Sequence, residues 1–147
     1  MVYGPILHHV NAMKDFSLST SAIWEIVNGT AKTIPATGFP YFVDVRFVDV
    51  RDTAKAHVAA LKVPSASNSR YLVAAGRYRY EQVAAIVQKR HPERKLVQGD
   101  TSPLDCYDID GSKAKRELLQ KDYINLEQCI TDTVDQLYEL EKKLNKA

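Results

Sequence analysis

The sequence is poor in the features that mark unusual environments. It holds two cysteines, Cys106 and Cys129, in 147 residues. A disulfide framework is therefore excluded, and a reducing, cytoplasmic setting is expected. No apolar run approaches the ~18 residues needed to cross a bilayer. The opening residues Met1-Val2-Tyr3-Gly4-Pro5 carry no basic flank and no long apolar stretch, so no secretory signal is expected. Charge of one sign is also scarce: 20 Lys+Arg stand against 18 Asp+Glu, a net +2, whereas a nucleic-acid binder usually carries more basic excess. The six glycines stand too far apart to form G-x-x-G-x-x-G or G-x-G-x-x-G, so no pyrophosphate-cradling turn is present. Among eight tyrosines only Tyr138 has a lysine four residues on, Lys142. That pair is expected on the exposed end of a helix. What is present, 45% apolar and 26% charged residues, is the balance of a soluble globular domain.

The clearest element lies near the C-terminal end. From Asn125 to Leu144 the residues Leu126, Ile130, Val134, Leu137 and Leu144, with Tyr138 beside them, line one face of a helix. Asn125 is a good N-cap, Glu127 suits the first turn, and Lys142, Lys143 and Lys146 suit the helix dipole. A second helix is expected from Asp52 as cap, with Ala54, Val58 and Leu61 following at helical spacing, ending before Pro64. A third is expected over Tyr80–Arg90, with Val83, Ile86 and Val87 inward. A fourth runs from Ser19 or Thr20 to Asn28, stopped by Gly29. A short fifth runs from Ser112 to Leu119, capped by Asp110 or Ser112.

Strand signals are fewer. They are Tyr71–Ala75, Tyr41–Val50, the weaker Lys95–Val97, and Tyr3 closing a strand. Helices and strands alternate, so the expected class is α/β, helix-rich with a few short strands. One local repeat stands out: Phe42-Val43-Asp44-Val45-Arg46 is followed at once by the identical Phe47-Val48-Asp49-Val50-Arg51. Strand side chains alternate with period two, so an insertion of five flips every later residue to the other face. One copy must bulge, loop out, or lie in a strand buried on both faces. A neutral edge duplication and an altered fold both remain open.

Candidate chemistry is thin. His8-His9 has no third ligand at a metal spacing, so no metal site is expected. His57 reads as a packing residue and His91, before Pro92, as a helix-end residue. Arg77-Tyr78-Arg79-Tyr80 interleaves cations and aromatics, as nucleic-acid surfaces do. Residues 77 to 95 hold Arg77, Arg79, Lys89, Arg90, Arg94 and Lys95 against Glu81 and Glu93. That excess is modest, and the acid-rich stretch that follows would repel phosphates. A solvated helix with a basic flank, and no nucleic-acid partner, is expected. Asn28-Gly29-Thr30 matches a glycosylation acceptor that carries no meaning without secretion.

Four stretches in fixed order carry a resemblance. They are Val2-Tyr3-Gly4-Pro5; Phe47-Val48-Asp49-Val50-Arg51-Asp52-Thr53-Ala54-Lys55-Ala56-His57; Tyr71-Leu72-Val73-Ala74; and Asp110-Gly111-Ser112-Lys113-Ala114-Lys115, followed by the final helix with Leu126-Glu127 and Thr131-Asp132-Thr133-Val134. Together they resemble the C-terminal half of an extended short-chain dehydrogenase/reductase, within the NAD-dependent epimerase/dehydratase superfamily. The branch is that of NADPH-dependent carbonyl reductases related to dihydroflavonol, cinnamoyl-CoA and methylglyoxal reductases. The resemblance covers nearly all of the chain, residues 1–147.

The resemblance implies a Rossmann-type parent that binds NADP and passes hydride to a small aldehyde or ketone, with a lysine-assisted tyrosine giving the proton. It implies a cofactor contact at Val2, another near Ser21, a pocket-lining role for Tyr3, and a helix-capping role for Asp52. The glycine turn and the catalytic Ser, Tyr and Lys of the family have no counterpart here, and the Phe-Val-Asp-Val-Arg segment is doubled. No catalytic residue is therefore assigned, no tight cofactor binding is expected, and the chain alone is expected not to reduce carbonyls. The alternative is a non-catalytic remnant serving as a protein-interaction or self-association module, pairing with an intact reductase; a third reading is an unrelated binder using residues 77 to 95. If the family's sheet is absent, the apolar faces of the helices at 52–61 and 125–144 lose their cover. At ~25 cal/mol per Å² such faces point to marginal folding or self-association.

Overall fold

The computed structural model describes residues 1–35, 46–102 and 108–145. Three short strands form one sheet in the order β1-β2-β3. β1 (Val2–Tyr3) runs parallel to β2 (Arg46–Asp49), with Val2 opposite Val48 and Tyr3 opposite Asp49. β3 (Gly76–Arg77) is antiparallel to β2. Around the sheet lie α1 (Leu18–Val27), α2 (Val50–Lys62), α3 (Tyr80–Arg90), the short α4 (Ser112–Ala114) continued by a π-helical turn over Lys115–Leu119, and α5 (Leu126–Leu144). The fold is α/β and helix-rich, as the alternation of patterns implied.

Helices with clear amphipathic periods form where expected. α5 starts one residue after Asn125, whose Oδ1 accepts from Gln128 N at 2.9 Å. α3 matches its expected bounds. α1 begins slightly early because Ser17 caps it, accepting from Thr20 N. It ends at Gly29, whose φ of +80° suits a residue without a side chain. Asp110 tethers the start of α4, its Oδ1 accepting from Ser112 N at 2.8 Å.

Three expectations need correction. α2 is capped by Asp49, which accepts from Arg51 N at 2.8 Å, and not by Asp52. Asp52 lies inside the first turn, wholly buried, and accepts from Ile124 N at 2.7 Å. Ala56 is buried and Ala59 packs with it, while Val58 and Leu61 are 52% and 89% exposed, so the Ala54–Val58–Leu61 face has no cover among the described residues. Small alanines let α2 approach the π-turn closely, so the larger residues are left outside. Tyr71–Ala75 and Lys95–Val97 form no strand. Tyr71 and Val73 instead pack with Ala114 and Leu118, and only Ala75 N reaches β2, donating to Phe47 O at 2.9 Å. Of the doubled segment, the second copy supplies β2 and the start of α2. Residues 42–45 of the first copy, and Cys106, lie outside the described residues.

The main core joins α1, α3 and α5 to the sheet, with Ile23, Val27, Val83, Val87, Ile130, Val134 and Leu137 at its centre. The apolar face of α5 is thus covered within this chain, while the Ala54–Val58–Leu61 face of α2 stays exposed. A smaller cluster of Ala56, Ala114 and Leu118 holds α2 to the π-turn.

Candidate functional site

The Val2–Pro5 segment is held from both sides. Period-two alternation turns Val2 outward, 42% exposed, and Tyr3 inward, 3% exposed. The Tyr3 hydroxyl lies 2.6 Å from that of Tyr78, and their rings meet edge-to-face at 5.4 Å. Phe47 and Tyr80 each pack 6.1 Å from the Tyr78 ring. Burial, reinforced by Tyr78, pushes the Tyr3 hydroxyl far above the ordinary phenol range, so it stays neutral. Gly4 follows with φ +120°, and a Cβ there would lie 2.9 Å from Val50 Cγ1 and 3.1 Å from the Asp49 carboxylate. Its N–H donates to Thr133 Oγ1 at 2.8 Å. Ile6 exchanges a bond pair with the Gln136 side chain, its N–H donating at 2.5 Å and its carbonyl accepting at 2.7 Å. α5 therefore fixes the path of the segment.

Beneath Gly4 is a buried ionic knot. Asp49, wholly buried, accepts from Arg51 Nε and from the guanidinium, each at 2.8 Å. Arg51 also reaches Asp132 at 2.7 Å. Burial would raise the Asp49 carboxyl, but the hydrogen bonds from Arg51 outweigh it and hold it below the usual carboxylate range. Burial and the Asp49 charge push the Cys129 thiol up, so it is a poor nucleophile. Thr133, which holds Gly4, donates its hydroxyl to Cys129 O at 2.7 Å. The knot ties β1, β2, α2 and α5 together.

A cleft of about 500 Å³ opens beside β2 and β3, lined by Phe47, Gly76, Gly111, Lys115, Tyr123 and Asn125 among others. Gly111 admits the close approach of the chain, since a Cβ would meet Ala74 O at 2.2 Å. Tyr123 donates to Gly111 O at 3.0 Å. Arg46 pairs with Asp108, which also faces Arg77 at 3.5 Å, and Lys115 pairs with Asp122. Each charge named here has an opposite partner, Asp108 serving both Arg46 and Arg77.

The remaining candidates resolve singly. His9 and Asn11 share a 2.8 Å bond at the surface. His57 Nδ1 lies 2.8 Å from Thr53 O on its own helix. His91 ends α3 as expected, with Nε2 2.7 Å from Asp135 Oδ1. Tyr138 is buried, not exposed: its hydroxyl donates to Val27 O at 2.8 Å, and burial pushes it up to about 12. In Arg77-Tyr78-Arg79-Tyr80 both tyrosines face the core and offer no stacking platform. Asp49, Arg51, Tyr78 and Thr133 were missed by sequence reasoning. The strict cation–aromatic alternation was a usable signal for inward tyrosines; nothing local announced Thr133.

No family model matches the chain. Curated relatives do. A ketoreductase of Aspergillus niger is 31% identical over 144 residues, 95% of this chain and 41% of that protein. The NADPH-dependent methylglyoxal reductase of Saccharomyces cerevisiae is 28% identical over 150 residues, 97% of this chain and 42% of its own length. Among solved structures, Gre2 of Candida albicans in complex with NADPH superposes with a TM-score of 0.66 at 28% identity, covering 94% of this chain and 41% of that one. The chain is similar to the C-terminal part of reductases of the extended short-chain dehydrogenase/reductase family. It spans about 40% of the length of the curated relatives it matches.

Within that family the residues expected at the cofactor and substrate sit as follows. Val2 and Tyr3 are consecutive in β1, on opposite faces. Ser21 lies in the first turns of α1, half-buried, with its hydroxyl donating to Phe16 O at 3.4 Å. α1 packs against β1. These are the positions that the resemblance places at one end of a dinucleotide. They do not fit the whole group, because the sequence has no glycine turn to hold a pyrophosphate.

Proposed function

We propose that this chain is the substrate-side portion of an NADPH-dependent reductase that converts a small aldehyde or ketone to an alcohol, and that it is not catalytic alone. The observation that carries the reading is the likeness to such reductases across nearly the whole chain. The rigid Val2–Pro5 segment supports it. In this reading Val2 borders the cofactor by its backbone, Tyr3 backs the carbonyl pocket as a neutral phenol locked by Tyr78, and Ser21 stands near the cofactor. Hydride and proton come from elements the chain does not supply: Tyr138 is spent on Val27 O and Tyr3 on Tyr78. The cellular setting is the reducing cytoplasm, with no nucleic-acid partner.

The test is NADPH consumption with methylglyoxal as co-substrate. The chain alone should give the buffer rate, and turnover above it would overturn the claim of inactivity. Fused behind the N-terminal 60% or so of the Saccharomyces cerevisiae relative, the chain should support turnover. A folded fusion that binds NADPH but reduces no carbonyl would overturn the substrate-side assignment. A second reading, a non-catalytic interaction or self-association module, is favoured by one observation: the outward apolar stripe of α2.

A further inference from the structure

We infer that Lys55, paired with Lys121 above the buried carboxylate of Asp52, is a nucleophilic amine that condenses with small aldehydes. The site uses none of Val2, Tyr3 and Ser21, so it stands or falls apart from the reductase reading.

Two elements build the pair. Asp52 and Lys55 stand one turn apart on α2, at i and i+3. The π-helical turn over Lys115–Leu119 packs against α2 and stops at Gln120, whose φ of +54° is left-handed. The chain beyond it is tied to α2 by Asp52, whose Oδ2 accepts from Ile124 N at 2.7 Å. Asp52 Oδ1 is buried without a hydrogen bond, and Lys121 Nζ lies 3.3 Å from it. A buried carboxylate needs a neighbouring cation, so Lys121 is kept as the ammonium at this corner.

The Lys55 and Lys121 amines lie within hydrogen-bonding reach of each other. Two ammonium groups cannot share a hydrogen bond, because each has donors only. One must accept as a neutral amine. Asp52 holds the proton on Lys121, so Lys55, exposed to solvent, is the one that gives its proton up. The contact with Lys121 holds Lys55 below the usual lysine range; Arg51 adds to this, and the Asp52 charge opposes it without prevailing. The same contact, with Asp52, holds Lys121 above that range. A second cation beside a lysine is an established route to a nucleophilic amine near neutral pH.

Aldehydes are the electrophile such a site can take unaided, since they need no leaving group and no cofactor. Lys55 Nζ bonds to the carbonyl carbon as the C=O π bond breaks. The oxygen then leaves as water, carrying away the two protons that the nitrogen loses by way of solvent. A C=N bond to Lys55 remains, and nothing is oxidised or reduced.

The test treats the full chain with limiting propionaldehyde and sodium cyanoborohydride at pH ~7, which traps each imine as a stable alkyl-lysine, and reads each lysine by peptide mass spectrometry. Lys55 should react about fivefold or more faster than Lys62, an exposed lysine on the same helix. Lys121→Met should bring Lys55 down to the rate of Lys62 and leave Lys62 unchanged. Lys121→Arg, which keeps a cation there, should retain most of the preference. The advantage should shrink toward pH ~10, where ordinary lysines also lose their proton. Equal rates at Lys55 and Lys62 would overturn the inference. So would a preference that survives Lys121→Met, or one undiminished at pH ~10. If Lys121→Met unfolds by circular dichroism, the pH profile of the unsubstituted chain decides.

Discussion

The two sides of α5's sheet differ sharply in how they are closed. On the side of α1 and α3, long aliphatic residues interlock: Ile23, Val83, Ile130 and Leu137 are each 0% exposed. On the side of α2, a few alanines and Leu118 make the contact, and the larger apolar residues point outward. The first side is a finished core. The second is a thin layer, held in place by polar bonds: Asp49 to Arg51, Asp52 to Ile124 N, and Tyr71 to Glu117 at 2.7 Å. An amphipathic helix therefore need not face the interior with its largest residues. Where the partner backbone is close, alanine wins the inner face and leucine is left for whatever comes next.

Substitutions should separate the two sides. Ile130→Ala or Leu137→Ala removes a side chain with no exposure and should cost about 4 kcal/mol in urea unfolding. A cost below about 1 kcal/mol would mean that this core is as loose as the α2 layer. Asp49→Asn weakens the pair between buried Asp49 and half-exposed Arg51 and should cost about 2 kcal/mol at neutral pH. Because Asp49 is held below its ordinary range, its contribution is fully present above the unfolded carboxyl pKa of ~3.9. It is lost as pH falls through the lower folded value. The gap between the parent chain and Asp49→Asn should therefore close in acid and stay constant from pH ~5 upward. Gly4→Ala forces a side chain into φ +120° against Val50 and Asp49, and should cost about 2 kcal/mol. Leu61→Ala, by contrast, should shift the isolated chain by no more than about 0.5 kcal/mol. A large loss there would show the stripe to be already covered.

The sequence announced one side better than the other. α3 and α5 could be read almost to the residue, because long apolar periods and a side-chain cap act locally. α2 was placed but its cap was not: Asp49 and Asp52 both suit a cap, and only the extended backbone at Asp49, φ −75° and ψ 138°, makes it the cap. Hydrophobic period reports which residues share a face, not what covers that face, so the alanine contact with the π-turn was not legible. Tyr71–Ala75 has strand composition, but its side chains are taken up by the α2 layer and its backbone meets β2 only at Ala75. Of the site, Val2-Tyr3-Gly4-Pro5 was visible through resemblance. The residues that immobilise it, Thr133 and Gln136, lie 129 and 130 positions away, and no local pattern encodes such a contact.

The central proposal is that this chain meets only the nicotinamide end of a reductase's site and has no grip on the dinucleotide's phosphates. A titration of the isolated, folded chain with NADPH, followed by backbone amide NMR shifts, tests it most directly. No saturable shift is predicted, with at most weak perturbation at Val2, Tyr3 and Ser21. Saturable binding in the micromolar range, with amides elsewhere gathered around the phosphates, would contradict it.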